Sequence, residues 1–146
     1  MKVILQRVTK ANVKVANEKI GEINHGYVLL LGIGGQDTHE IADKMINKIK
    51  NLRLFADDTG KTNLSINDVN GEVLIISQFT LYADCRKGNR PSFTEAAPPA
   101  LAEALYTYFI KASKPHFTKI AHGQFAASMQ VELVNDGPFT VVLEMG

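Results

Sequence analysis

Between Ile76 and Ala83 the chain reads ISQFTLYA, so that Ser77, Gln78 and Thr80 bring two hydroxyls and a carboxamide into a run otherwise fit for a core. Such groups donate and accept hydrogen bonds, hold water, or attack a carbonyl when a base takes their proton. Read as one strand over EVLIISQFTLYA, the stretch turns Gln78 and Thr80 to the face of Ile76 and Tyr82, and Ser77 and Phe79 to the other. An unpaired polar group costs about 1–3 kcal/mol to bury, so each must find a partner, leave the core or line a cavity. The stretch alone leaves those choices open. Just after it, Arg86, Lys87 and Arg90 crowd a short loop, either simply solvated or poised for phosphate. Phe93 and Phe125 stack on a base or pack in the core. Far along the chain, Gly137-Pro138 interrupts Met129, Val131 and Leu133 on one side and Phe139, Val141 and Leu143 on the other. A hairpin turn is the local reading. A cis X-Pro bond would instead turn two neighbouring carbonyls to one side, while glycine lets another chain come close.

Other groups carry less. LGIGGQD follows a strand and precedes a helix, but after Gly32 and Gly34 the third glycine of a dinucleotide fingerprint would fall at Asp37, so a strand-to-helix turn is expected. The histidines, His25, His39, His116 and His122, lie in separate segments without the close ligand company of a metal site. Cys85 has no local base, and Asp57-Asp58 opens a turn.

These residues need elements to hold them. KVILQRV, ANVKVA and KIGEI read as early strands, and GYVLLLGI as a strand buried on both faces. Asp37 with Glu40 resembles a capping pair for a helix carrying Ile41, Met45, Ile49 and Leu52; a second helix starts near Pro98-Pro99 with the stripe Leu101, Leu105, Tyr108, Phe109 and Ala112. SMQVELV and FTVVLEM close the chain as strands. The expected fold is α+β: one domain over 1–146, a mixed or largely antiparallel sheet curled towards a barrel, and two main helices.

Composition sets the bounds. A chain of 146 residues with 45% apolar content suits a single core, and a formal charge of +1 gives no overall field for nucleic acid or membrane. Any anionic partner needs a local patch. The single cysteine fits a reducing compartment, and no stretch reads as a secretory or membrane-spanning segment, so a cytoplasmic protein is expected.

Taken together, QRVTKANVKV at the start, SQFTLYA, RPSF after the basic loop, GQFAASMQVELVNDGP and the terminal strand resemble the D-aminoacyl-tRNA deacylases, also called D-tyrosyl-tRNA deacylases. Phe139 stands where that family often has a smaller residue, and FAAS has alanine where glycine is frequent. The resemblance implies hydrolysis of the ester between a D-amino acid and the terminal adenosine of tRNA, with no metal or cofactor. It implies a homodimer in which cis Gly137-Pro138, supported by Arg7, enters the partner's site near Ser77, Gln78, Phe79 and Thr80. Paired main-chain carbonyls would reject L-aminoacyl-tRNA, and glycyl-tRNA, with no side chain to clash, would be partly accepted. Amides around Gln78 and Phe79 are the expected oxyanion donors. Thr80 either attacks or positions water with help from the ribose hydroxyl; the second is favoured because no neighbouring base is evident. Gln124 and Phe125 would lie near the adenine, and Arg86, Lys87 and Arg90 would meet phosphates. A non-catalytic RNA-binding module and a hydrolase of small D-amino-acid esters are the competing readings.

Overall fold

Apolar residues at Val3 and Leu5, then at Val8, Ala11 and Val13, make one long strand, β1 (Lys2–Val15), where the sequence suggested two. The computed structural model describes residues 1–146. Ala16 and Asn17, both at positive φ, turn the chain into β2 (Glu18–Ile23), which pairs antiparallel with the second half of β1. β3 (Gly26–Gly32) pairs antiparallel with the first half. The helix α1 (His39–Asn51) follows, then the short strands β4 (Arg53–Ala56) and β5 (Thr62–Ser65), which pair with each other. Next come β6 (Glu72–Ser77), parallel to β3; α2 (Pro99–Ser113); β7 (Ile120–His122), parallel to β6; and β8 (Gln130–Glu144), antiparallel to β1 along nearly its whole length.

The sheet is mixed and curls almost into a barrel, as expected. Where β2 approaches β7, a Cβ on Gly21 would lie 3.1 Å from the His122 carbonyl oxygen, so the absence of a side chain lets the two strands meet. The unbroken apolar run of β3 has a direct cause. Tyr27, Leu29 and Leu31 face a core beneath α1 and α2 with Val73 and Ile75 of β6, while Val28, Leu74 and Ile76 face a second core inside the curl with Val8, Val13 and Ile23. Both faces of the central strands are thus dry, and period-two alternation is lost there.

Two helix details differ from the sequence reading. Thr38, whose Oγ1 accepts from Ile41 N at 3.3 Å, caps α1; Asp37 is buried instead, accepting from the Met1 ammonium at 2.6 Å and from Gly34 N at 2.7 Å. A carboxylate so engaged has no lone pair aimed at the helix amides. On α2 the buried residues are Ala102, Leu105, Tyr106, Phe109, Ile110 and Ser113, a stripe rotated from the expected one. Tyr108 turns outward, donating to Asp43 Oδ1 at 2.8 Å and stacking on His39 with centroids 3.9 Å apart.

Candidate active site

The strand expected to run through Ala83 stops at Ser77. Gln78 N makes the last ladder bond, to Leu31 O at 2.8 Å, and the chain then tightens into a 3-10 turn over Phe79–Tyr82, with Leu81 N donating to Gln78 O at 3.2 Å and Ala83 N to Thr80 O at 3.0 Å. Strand alternation therefore does not govern Gln78 to Tyr82, which corrects the expected sharing of faces. The Gln78 amide is spent in the sheet and is not an oxyanion donor. The free pair is one residue later, because the amides of Phe79 and Thr80 open the turn and have no acceptor within it.

Phe79 is 58% exposed, and Thr80 lies beside it on the surface. Gln78 Nε2 donates to Thr80 Oγ1 at 2.5 Å, fixing that oxygen as an acceptor and leaving its own proton to be donated. Its hydrogen-bond partner is thus an amide, with no base in that role.

The turn has a seat at the end of β3, in the segment that the sequence reads as a strand-to-helix turn. A Cβ on Gly32 would come 2.9 Å from Leu81 Cβ and 3.2 Å from Gln78 O, and one on Gly34 would come 2.8 Å from Tyr82 Oη. The glycines of LGIGGQD therefore admit the turn to the end of β3. Small residues at a strand end are the signal, which the strand-to-helix reading of this segment explains only in part. Burial under this packing pushes the Tyr82 hydroxyl well above the ordinary phenol range, helped by the charges of Asp37, Glu144 and Glu95. Lys2 Nζ lies 4.6 Å from the Tyr82 ring centroid.

Beside the turn opens a cleft of about 490 Å³ lined by Ser77, Phe79, Phe93, Ala97, Pro98 and Phe125, among others. Phe79 and Phe93 meet edge to face at 5.0 Å. Behind Phe125, Tyr106 donates to the carbonyls of Ile75 and Gly123 at 3.1 and 3.2 Å, tying α2 to β6. The walls are mostly apolar and include Phe79, whose amide is unpaired within the turn, an arrangement that can take a flat apolar ring beside a hydrogen-bond donor. Gln124 lies just outside, in an adjoining hollow.

Gly137-Pro138 is cis, yet it makes no hairpin. The residues on either side belong to the single strand β8: Thr140 pairs with Gln6 and Asn135 with Val8, so Asp136 to Phe139 bulge out opposite Arg7 alone. Four residues against one shift the side-chain parity, which is why Leu133 faces the core inside the curl and Val141 and Leu143 the core under the helices. Arg7 holds this bulge. Its Nε donates to Asp136 O at 3.1 Å, its Nη1 to Leu54 O at 2.6 Å, and its guanidinium lies 4.7 Å from the Phe139 ring centroid. Asn135, which sequence reading passed over, closes the bulge from within: its Oδ1 accepts from Phe139 N at 2.9 Å and its Nδ2 donates to Thr140 Oγ1 at 3.0 Å. An Asn-Asp pair leading into Gly-Pro was its signal.

The bulge does not reach its own cleft. Ser77 is in register with Leu31 and Val3, whereas the bulge sits opposite Arg7 and three strands away. At ~3.3 Å per residue and ~4.8 Å per strand, that is roughly 20 Å. Asp136, Gly137 and Pro138 are all exposed.

The basic loop is a small hairpin pinned by reciprocal Asp84–Ser92 backbone bonds at 2.8 and 3.0 Å. Arg86 is not free, since its Nε and Nη2 donate to Asp84 at 2.8 and 2.7 Å and hold that carboxyl below the usual range. Lys87 and Arg90 are exposed and outside any ion pair, and Cys85 is an exposed thiol.

The chain has known relatives. The family model described as D-Tyr-tRNA(Tyr) deacylase matches residues 4–144. A protein of Thermosipho africanus named D-aminoacyl-tRNA deacylase is 51% identical over 144 residues, covering 99% of this chain and 97% of its own, and one of the same name from Clostridioides difficile is 50% identical over the same shares. A solved structure described as c-Myc DNA Unwinding Element Binding Protein is 43% identical, with a TM-score of 0.94 and coverage of 100% of this chain and 99% of that one. The structure of a probable eukaryotic D-amino acid tRNA deacylase, 14% identical, has the same fold, with a TM-score of 0.87 over 99% of this chain and 98% of its own. A match along nearly the whole chain, at such identity and with such likeness of fold, places this protein in the D-Tyr-tRNA(Tyr) deacylase family.

Proposed function

We propose that this protein hydrolyses the ester between a D-amino acid and the 3′-terminal adenosine of tRNA, releasing the free amino acid and tRNA. Water adds to the ester carbonyl, the carbon–oxygen bond to ribose breaks, and the ribose oxygen leaves with a proton. The adenine occupies the cleft between Phe79, Phe93 and Phe125, which sets the carbonyl oxygen at the Phe79 and Thr80 amides. Thr80 positions water and substrate, assisted by the neighbouring ribose hydroxyl. An oxygen that already accepts from Gln78 and has no base to deprotonate it is a poor nucleophile. Thr80→Ala is therefore expected to retain a substantial residual rate on D-tyrosyl-tRNA; loss of all turnover with binding intact would restore direct attack.

The protein acts as a homodimer, each copy lending Gly137 and Pro138 to the other's cleft. One observation carries this reading: Arg7 and Asn135 brace an exposed main-chain projection that sits three strands over from Ser77, roughly 20 Å along the sheet from the cleft of its own chain. A projection braced at its base and exposed at Asp136, Gly137 and Pro138 fits a neighbour. Val142 and Val134 of β8 are 69% and 45% exposed, and burying such a face rewards association. Main-chain carbonyls held this way cannot step aside as a side chain can, so an L-aminoacyl ester is refused on shape. Lys87 and Arg90 are proposed to meet phosphates of the tRNA body, with Arg86 contributing only if it leaves Asp84. Matched rates on D-tyrosyl-, L-tyrosyl- and glycyl-tRNA test the whole scheme. The expected order is D-tyrosyl fastest, glycyl partly hydrolysed and L-tyrosyl at background. Equal D and L rates would end the assignment, and complete inertness towards glycyl-tRNA would end exclusion by shape.

A further inference from the structure

The cleft does not end at Phe125. On the other side of that ring a second hollow, of about 570 Å³, is lined by Tyr106, Thr107, Lys111, Lys114, His122 and Gln124, among others. Phe125 belongs to both hollows, and so does the wall behind it: Ala102 of α2 lines the first, and Tyr106, Thr107 and Lys111 of the same helix line the second. From Ala102 to Lys114 this wall is ~18 Å long at 1.5 Å per residue.

The chemistry changes along the wall. Beside the turn it is apolar and aromatic; past Phe125 it is cationic. Lys111 and Lys114 enter no ion pair, unlike Lys14, Lys19, Lys44 and Arg86. The hollow's single acid, Glu103, stands at the end of the wall nearer the cleft. His122 Nδ1 is 2.7 Å from Gly123 O, and a carbonyl only accepts, so Nδ1 carries the proton. In the neutral ring Nε2 is then left as an acceptor, suited to a ribose 2′-hydroxyl. A groove with cations along one side and an aromatic ring dividing it is how single-stranded nucleic acid is held without base pairing.

We propose that this second hollow carries the single-stranded RNA leading into the reacting ester, with Phe125 stacking between consecutive bases and Lys111 and Lys114 meeting the phosphates. The assignment rests on the ester hydrolysis proposed above and adds the path of the strand. That path runs along α2 and is distinct from the basic loop around Lys87 and Arg90.

The test compares two esters, intact D-tyrosyl-tRNA and D-tyrosyl-adenosine, which keeps the reacting end and lacks the strand. For K111E/K114E, kcat/KM on the tRNA is expected to fall about tenfold or more at 0.1 M salt, through KM, and the slope of log kcat/KM against log salt to flatten by about 0.7 for each phosphate that is no longer neutralised. The rate on D-tyrosyl-adenosine stays as in the wild type. The same charge reversal on α1, K44E/K48E, separates a local effect from net charge and is expected to change little. An unaltered tRNA rate in K111E/K114E, an equal fall on both esters, or an equal effect of K44E/K48E would each overturn the path while leaving the hydrolysis standing. Wild-type protein inert towards both esters would overturn the hydrolysis and the path together.

Discussion

Phe79→Pro is expected to lower kcat on D-tyrosyl-tRNA by roughly 10²–10³, the usual cost of one missing oxyanion donor, while Phe79→Ala falls well short of that. Proline deletes the backbone N–H at the first position of a helical turn, where that N–H has no acceptor within the turn and proline's fixed φ is welcome. Gln78 before it has φ −146 and ψ 78, outside the helical region that a following proline disfavours. Alanine removes the ring and keeps the amide, so the pair of variants separates stacking from hydrogen bonding. Single-turnover rates at saturating enzyme read the difference. Equal losses in the two variants would mean that the amide is no donor and that the ring does the work.

The second large effect is on handedness. Gly137 has φ 134, and a Cβ there would lie 3.0 Å from Phe139 N and 3.3 Å from Arg7 Nη2, so Gly137→Val must displace the bulge from its brace. Hydrolysis of L-tyrosyl-tRNA is expected to rise about tenfold for each 1.4 kcal/mol by which exclusion weakens. Mixing then tests where the bulge acts. An excess of the slow Phe79→Pro chain, whose own bulge is intact, should pair with Gly137→Val chains and supply the missing wall to their working turns. L-activity per Gly137→Val chain is expected to return towards background while D-activity persists. If the added protein changes neither rate after subunits have exchanged, the bulge serves its own chain or does not select at all.

Much of this arrangement could be read from residue order, because the signals were local. The alternation of β1 and β8, the doubly buried run of β3 and the proline-led start of α2 rest on side-chain chemistry within a few residues, and the sheet and helices followed from them. The errors arose where partners distant in sequence decide. Nothing near Gln78 announces that Leu31 takes its amide and ends the strand. Likewise, only the pairing of both ends of β8 with β1 turns an apparent hairpin at Gly137-Pro138 into a bulge. Asp37 looked like a cap until an ammonium 36 residues away claimed it. The basic loop is legible as charge, whereas the bond that ties Arg86 to Asp84 shows only in the folded loop.

The glycine seat under the turn has a practical consequence. Since the space at Gly32 and Gly34 is filled by Leu81 and Tyr82 themselves, a single added carbon there would act as a shim, tilting the amide pair without altering any group that meets substrate. On the proposed role of that amide pair, alignment is adjustable from below, and directed evolution aimed at new esters has a dial two residues wide that leaves the reacting chemistry alone.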